Sequence, residues 1–275
     1  MNSKRVDRFL RWFVPSAPRL SYSPTFRIFG NALSSALALP FPEFRRLPPN
    51  HLRVRVGVGN RIVNNQAFFL NFGAFFWNDL FANGYANAHS DIVDIGCGCG
   101  RLAMPLRQDF FKGTYLGIDI DAEMIEYCRT HFPPDRFSFK LAPRGNSVFG
   151  ARHGVTGKAE TFAVAPPESK DFVLACGLFT NVLEEELKFY MRESFKVLRS
   201  GGKVAMSFFC YDYVDKGGRW TFAHQVGAAH VENPKFPEAA LAYTAAFLTD
   251  VARQSGFRDI SVRPSPGLSM LFGQK

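Results

Sequence analysis

The sequence predicts an α/β chain with a doubly wound, mostly parallel sheet and an N-terminal helical extension. Three observations carry this expectation. Strand-like runs at 91–95, 114–119, 136–141, 171–176 and 203–209 read as continuous and apolar, the pattern expected of parallel strands covered on both faces. Helix-length segments separate the runs, which implies right-handed crossovers within one sheet. Three alternate glycines, Gly96, Gly98 and Gly100, follow the first run, and Asp119 closes the second. A chain of 275 residues, 47% hydrophobic, is long enough to bury such a core.

Taken in order, residues 1–60 read as a basic helical extension and 61–275 as the ligand-binding domain. The first 60 residues hold ten Lys or Arg against Asp7 and Glu43, a net +8, and the rest of the chain holds 23 against 22. The total of +9 therefore belongs to the extension, and a nucleic-acid footprint spread over the fold is not indicated. Residues 5–14 alternate arginines with Val6, Phe9, Leu10, Trp12 and Phe13, and 26–41 is apolar apart from Arg27. Two readings follow: helices packed on the body as a lid, or peripheral contact of residues 1–41 with an anionic membrane surface. The uncharged stretch Ile28 to Pro42, 15 residues, is short of the roughly 20 that span a bilayer. Arg8, Arg11, Pro15 and Arg19 interrupt any signal-peptide core.

Residues 66–81 read as a helix with aromatics on every side, either buried against the sheet or lining a pocket, lid or partner surface. The strand at 91–95 feeds the glycine turn, whose bare main chain lets a ligand approach where a Cβ would block it. A crossover helix is expected from Arg101. Residues 121–131 open with Asp121 and Glu123, complementing a helix N-terminus. A helix after Asn181 opens with Glu184, Glu185 and Glu186, buries Leu187, Tyr190 and Met191, and stops at Ser200-Gly201-Gly202. A ligand then belongs at the carboxyl ends of strands one, two and four.

The turn selects among nucleosides. A dinucleotide site requires G-x-G-x-x-G, and the sixth place here is Arg101. Asp94, two residues before the first glycine, would set like charge beside a diphosphate but suits a ligand bearing an ammonium and a sulfonium. Asp119 stands where a carboxylate accepts both ribose hydroxyls. An oxidoreductase using a nicotinamide cofactor is the weakest reading.

These residues resemble the class I S-adenosylmethionine-dependent methyltransferases, bacterial small-molecule branch. The resemblance extends through Lys170-Asp171-Phe172, Phe179-Thr180-Asn181, Arg192 to Leu198, Gly201-Gly202-Lys203 and Phe208-Phe209, with Leu47-Pro48-Pro49 upstream and Gly256-Phe257 downstream, about residues 47–275. It implies a Rossmann-like, seven-stranded sheet and S-adenosyl-L-methionine as cofactor. It also implies a cofactor site drawn from Asp94, Gly96, Cys97, Gly98, Gly100, Arg101, Asp119, Ile120, Ala142, Cys176 and Leu178. Three positions depart from the branch: Ala142 where an Asp commonly ends the third strand, Asn181 in place of His, and Thr244 in place of Asp.

For chemistry, Asn181 is a candidate orienting group, with Tyr211 and Asp212 after the fifth strand and His224 or His230 in the following loop. No metal is expected, because Cys97 and Cys99 lack a second Cys or His pair. Five cysteines and no secretory start suggest a reduced, cytoplasmic protein, with the inner membrane face as the peripheral option. No proline precedes Cys176, which argues against covalent catalysis. The expected activity is methyl transfer to a small-molecule or glycan-type acceptor, at O or N. One alternative is an RNA methyltransferase using the basic arm, but no Asn-Pro-Pro-aromatic follows strand four. Another is a non-catalytic partner subunit, motivated by Ala142, Asn181 and Thr244.

Overall fold

The computed structural model describes residues 21–57, 63–142, 165–215 and 220–275. The alternating residues 5–14 and the polar stretch 143–164 lie outside the described residues. The sheet contains β1 (Ile92–Ile95), β2 (Tyr115–Asp119), β3 (Phe137–Leu141), β4 (Lys170–Ala175), β5 (Leu198–Cys210), β6 (His224–Val226), β7 (Ala229–Val231), β8 (Leu241–Tyr243), β9 (Arg258–Arg263) and β10 (Leu268–Gln274). The path β3-β2-β1-β4-β5-β10-β9 supplies the expected seven strands, parallel from β3 through β5, with β10 antiparallel to β5 and β9. The described sheet has ten strands rather than seven: β8 pairs with Phe209 and Cys210, and β7 and β6 follow it outward as an antiparallel meander.

Alternation along β1 explains the two-sided core. Val93 and Ile95 pack with Leu187, Met191, Leu248 and Val251, from the helices α4 (Glu184–Val197) and α5 (Ala245–Gln254). Ile92 packs on the other side with Trp77 and Leu80 of α2 (Gln66–Ala82) and Ile125 and Cys128 of α3 (Ala122–His131). Asp94 shares the Ile92 face and is itself buried, so a carboxylate enters an otherwise apolar layer.

Two expected boundaries change. The crossover helix anticipated at Arg101 is absent: residues 101–104 are turns leading into a 3-10 turn at Pro105–Arg107. Pro105 has no amide donor, and an α-helix from 101 would bring its ring against the residue 101 carbonyl. The Leu102 carbonyl instead accepts the Trp77 indole N–H at 2.7 Å, so α2 packs where the first helical turn was anticipated. The helix expected to stop at Ser200-Gly201-Gly202 ends at Val197, and β5 begins at Leu198, which pairs with Lys170. Gly201, at φ 78°, absorbs the register shift that separates this pair from Phe172–Lys203.

The described part of the extension packs on the body. Its helix α1 (Pro24–Ala38) turns Gly30, Ser34 and Ala38 inward. The buried Arg53 ties the segment together by donating to Asn65 Oδ1 (2.7 Å), Ser34 Oγ (2.6 Å) and the Pro48 carbonyl. Burial lowers the Arg53 pKa to about 10, which leaves it cationic near neutral pH and satisfied by neutral acceptors. Leu47, Leu52, Val54 and Val56 then meet Phe69, Cys99 and Met124, covering the glycine turn. Among the described residues no helix is long and apolar enough to cross a membrane.

Candidate active site

A cavity of about 430 Å³ opens at the carboxyl ends of β1, β2 and β4, beneath the extension. The glycine turn forms its floor. Gly96, Gly98 and Gly100 have φ of 81°, 56° and 83°, which L side chains adopt only with strain. A Cβ at Gly98 would collide with Val56 of the extension, and one at Gly100 with the Phe132 ring. The turn is thus held against the extension on one side and against the end of α3 on the other.

Two carboxylates face this floor. Asp119 Oδ2 accepts the Gly98 amide at 2.7 Å and Oδ1 the Asp121 amide at 2.9 Å, so the main chain fixes its orientation and leaves further lone pairs for hydroxyl donors. Burial pushes its pKa up, with those two amides opposing. Asp94 is more deeply set. Its Oδ2 accepts the Tyr115 hydroxyl, while its Oδ1 is buried with no hydrogen-bond partner among the described residues. Burial pushes Asp94 up to about 7; the Tyr115 bond opposes this, the nearby Asp119 charge adds to it, and Arg101 opposes it. An orphaned buried carboxylate oxygen at a cavity wall is costly unless a donor arrives, and a ligand ammonium would supply one. Arg101, stacked over Phe72 at 4.0 Å, lines the same wall and offers a carboxylate partner.

A second cavity of about 60 Å³ shares Gly96, Asp119, Ile120 and Leu178 with the first and adds Ile118, Ala142, Val182 and Tyr190. It is a narrow, mostly apolar slot between the Asp119 carboxylate and the Glu186 side chain, which also lines it. The two cavities together present groups that could meet an ammonium, a carboxylate, a ribose and a base.

Most residues expected at the cofactor site come together: Asp94, Gly96, Cys97, Gly98, Arg101, Asp119, Ile120, Cys176 and Leu178 line the main cavity, and Ala142 the second. Gly100 lines neither, because it faces Phe132 and Cys128. Burial raises the Cys176 thiol, so it offers little thiolate near neutral pH.

The catalytic candidates fare differently. Asn181 lines the cavity, but its Nδ2 donates to the carbonyls of Glu238 (2.9 Å) and Ala239 (3.2 Å) and its Oδ1 accepts the Thr180 hydroxyl (2.7 Å), which commits it to holding the loop before β8. Tyr211 and His224 line neither cavity. The chain turns sharply after β5, so Tyr211 stacks on His230 at 3.5 Å, and His224 sits exposed on the β6–β7 hairpin. Asp212 accepts the Ala245 amide (2.7 Å) and Thr244 caps α5, so both stabilise the start of that helix.

Sequence reasoning missed two groups. From the extension, Tyr22, Arg55, Val56 and Gly57 line the cavity. Arg55 reaches Asp121 Oδ2 at 3.0 Å and Glu123 Oε2 at 2.9 Å, Tyr22 donates to Asp121 Oδ2 at 3.0 Å, and His51 Nε2 and Arg27 both meet Glu123 Oε1. Burial of Glu123 is outweighed by its His51 and Arg55 bonds, and its pKa falls. At the opposite end, Phe209, Trp220 and Leu268 form an apolar wall, with Phe209 and Trp220 rings 5.5 Å apart. The Arg55 signal lay in the Arg53-Val-Arg55-Val-Gly57 segment; Trp220 carried none.

Residues 93–206 match the family described as a methyltransferase domain. Among solved structures, the fold is similar to that of a SAM-dependent methyltransferase from Methanosarcina mazei, with 20% identity, TM-score 0.51 and coverage of 71% of this chain and 96% of that one. An S-adenosylmethionine-dependent methyltransferase from Mesorhizobium loti matches with 15% identity, TM-score 0.50 and coverage of 72% and 97%. One from Archaeoglobus fulgidus matches with 12% identity, TM-score 0.50 and coverage of 74% and 94%. Residues 93–206 thus match a methyltransferase domain, and the fold around them is the one shared by these S-adenosylmethionine-dependent methyltransferases.

Proposed function

We propose that this protein transfers a methyl group from S-adenosyl-L-methionine to a small-molecule acceptor, of which a glycan-type compound is one class. When bound, the cofactor supplies an electrophilic methyl on a sulfonium. The chain's own residues hold and orient. Asp119 accepts ribose hydroxyls, Asp94 takes the ammonium, Arg101 the carboxylate, and the Ile118–Ile120–Ala142 slot the base. Fixing the acceptor atom against the methyl is the main catalytic requirement, since positioning alone can contribute about 7 to 11 kcal/mol.

The observation that carries the acceptor class is the far wall of the cavity. Phe209, Trp220 and Leu268 close it with apolar and aromatic surface, over which a ring or hydrocarbon can stack. A body carrying almost no net charge supports a small acceptor over a polynucleotide.

The test is to incubate the protein with methyl-labelled cofactor and fractionated lysate. Label in small metabolites, or in glycan-bearing compounds, supports the reading. Label confined to RNA, or no label together with no calorimetric binding of S-adenosylhomocysteine, overturns it, the latter in favour of a non-catalytic subunit.

A further inference from the structure

Helix α1 is apolar on the wrong side for a helix that only packs against a protein core. Its buried stripe consists of small residues, Gly30, Ser34 and Ala38 at four-residue spacing. The large apolar side chains point outward: Ile28 is 67% exposed, Phe29 70%, Leu33 51% and Leu37 41%, followed by Leu39 and Phe41 just past the helix end. No charged residue interrupts Ile28 to Pro42, and Arg27 at the start of this stretch is directed to Glu123. A contiguous apolar face of this size needs a cover.

The charge of the same segment indicates which one. Arg45 and Arg46 are exposed immediately after the helix, and the sequence ahead of it carries Lys4, Arg5, Arg8, Arg11 and Arg19 against Asp7 alone. Two copies meeting through this face would bring two strongly basic segments together. An anionic lipid surface complements both features at once, taking the apolar side chains below its headgroups and the guanidinium groups among them. We propose that the outward face of α1 lies in the interface of an anionic bilayer, making the protein a reversible peripheral membrane protein. This surface is separate from the cavity, and the proposal stands whatever the acceptor.

The test is flotation of the full-length protein with vesicles of phosphatidylcholine alone or mixed with phosphatidylglycerol, at low and high salt. The proposal expects partitioning at least about tenfold stronger onto the anionic vesicles, weakening with salt. It expects the combined variant Phe29→Ser, Leu33→Ser, Leu37→Ser to lose at least about tenfold of that binding. Arg46→Glu, which leaves the apolar face intact, should lose a smaller part. Unchanged calorimetric binding of S-adenosylhomocysteine verifies that the variants are folded. Equal binding to both vesicle types, no binding, or full binding by the triple variant overturns the proposal. So does a lipid-free dimer that the triple variant converts to monomer, which assigns the face to a second copy. A photoreactive side chain at position 29 that cross-links to residues 1–20 of the same monomer, with and without vesicles, also overturns it, because the arm would then be the cover.

Discussion

At the residue scale, the two cavity carboxylates do different work because the main chain treats them differently. Asp119 is oriented by two amides, so its replacement should act on affinity. Asp119→Asn keeps the shape but loses charge-assisted bonds worth about 1.5 to 3 kcal/mol, a ten- to hundredfold weakening of S-adenosylhomocysteine binding measurable by calorimetry. Asp94 adds a pH signature. In an unfolded chain its carboxyl titrates near about 4, whereas burial holds it at about 7 in the folded protein. The folded state therefore keeps a proton that the unfolded chain has lost, and stability from this group is full below about pH 4 and lost as pH rises through about 7. Ligand binding runs the other way, since only the ionised carboxylate grips an ammonium. S-adenosylhomocysteine affinity should rise from pH 6 to about 7.5 with proton release on binding, and Asp94→Asn should flatten that rise; an equally steep rise in the variant would show that another group titrates. Both carboxylates were legible in the sequence, because a carboxylate two residues before a glycine turn and another at a strand end are local features.

At the element scale, the extension is latched to the start of α3. Asp121 caps that helix through the amides of Glu123 and Met124 and also accepts from Arg55 and Tyr22, so one carboxylate joins extension and body. Arg55 and Asp121 side chains are 4% and 7% exposed, and breaking such a buried pair costs about 3 kcal/mol or more. Arg55→Ala should lower the melting temperature and speed release of S-adenosylhomocysteine in stopped flow, whereas a lid without a role in retention would leave the release rate unchanged. At the far wall, Trp220→Ala should raise the acceptor KM while cofactor affinity stays within about twofold, as expected of a group touching only one ligand. The partners Tyr22 and Asp121 lie 99 positions apart, and Arg27 and His51 lie 96 and 72 positions from Glu123, so no local pattern announces them. Tyr211 and His224 show the converse. They follow β5 closely in sequence, but a tight turn and a hairpin carry them away from the cavity.

At the scale of the whole molecule, cofactor binding joins β1, β2, β4, α3 and the extension, so it should stabilise the chain as a unit. Saturation at about a hundred times Kd adds about 2.7 kcal/mol. For a domain of this size that corresponds to a rise in Tm of about 5 to 10 °C. Calorimetry with S-adenosylhomocysteine measures it, and a shift confined to a minor early transition would show that the extension unfolds separately. The parallel strands β1, β2, β4 and β5 were readable because both of their faces are largely buried, which leaves continuous apolar runs; β3, at the sheet edge, alternates buried Phe137 and Phe139 with exposed Ser138 and Lys140. The meander β6–β8 was not, because three-residue strands carry too little pattern to register.

The sequence by itself determined the parallel part of the sheet, the glycine turn and the pair of carboxylates, since each depends on backbone geometry and periodicity within a few residues. Only the tertiary structure decided what closes the site and what faces solvent. The latch on Asp121, the Phe209–Trp220 wall, the packing of α2 against the turns at 101–104 and the outward apolar face of α1 all depend on contacts between distant segments. Whether a large apolar side chain is core or surface is set by what packs against it, and no spacing along the chain records that.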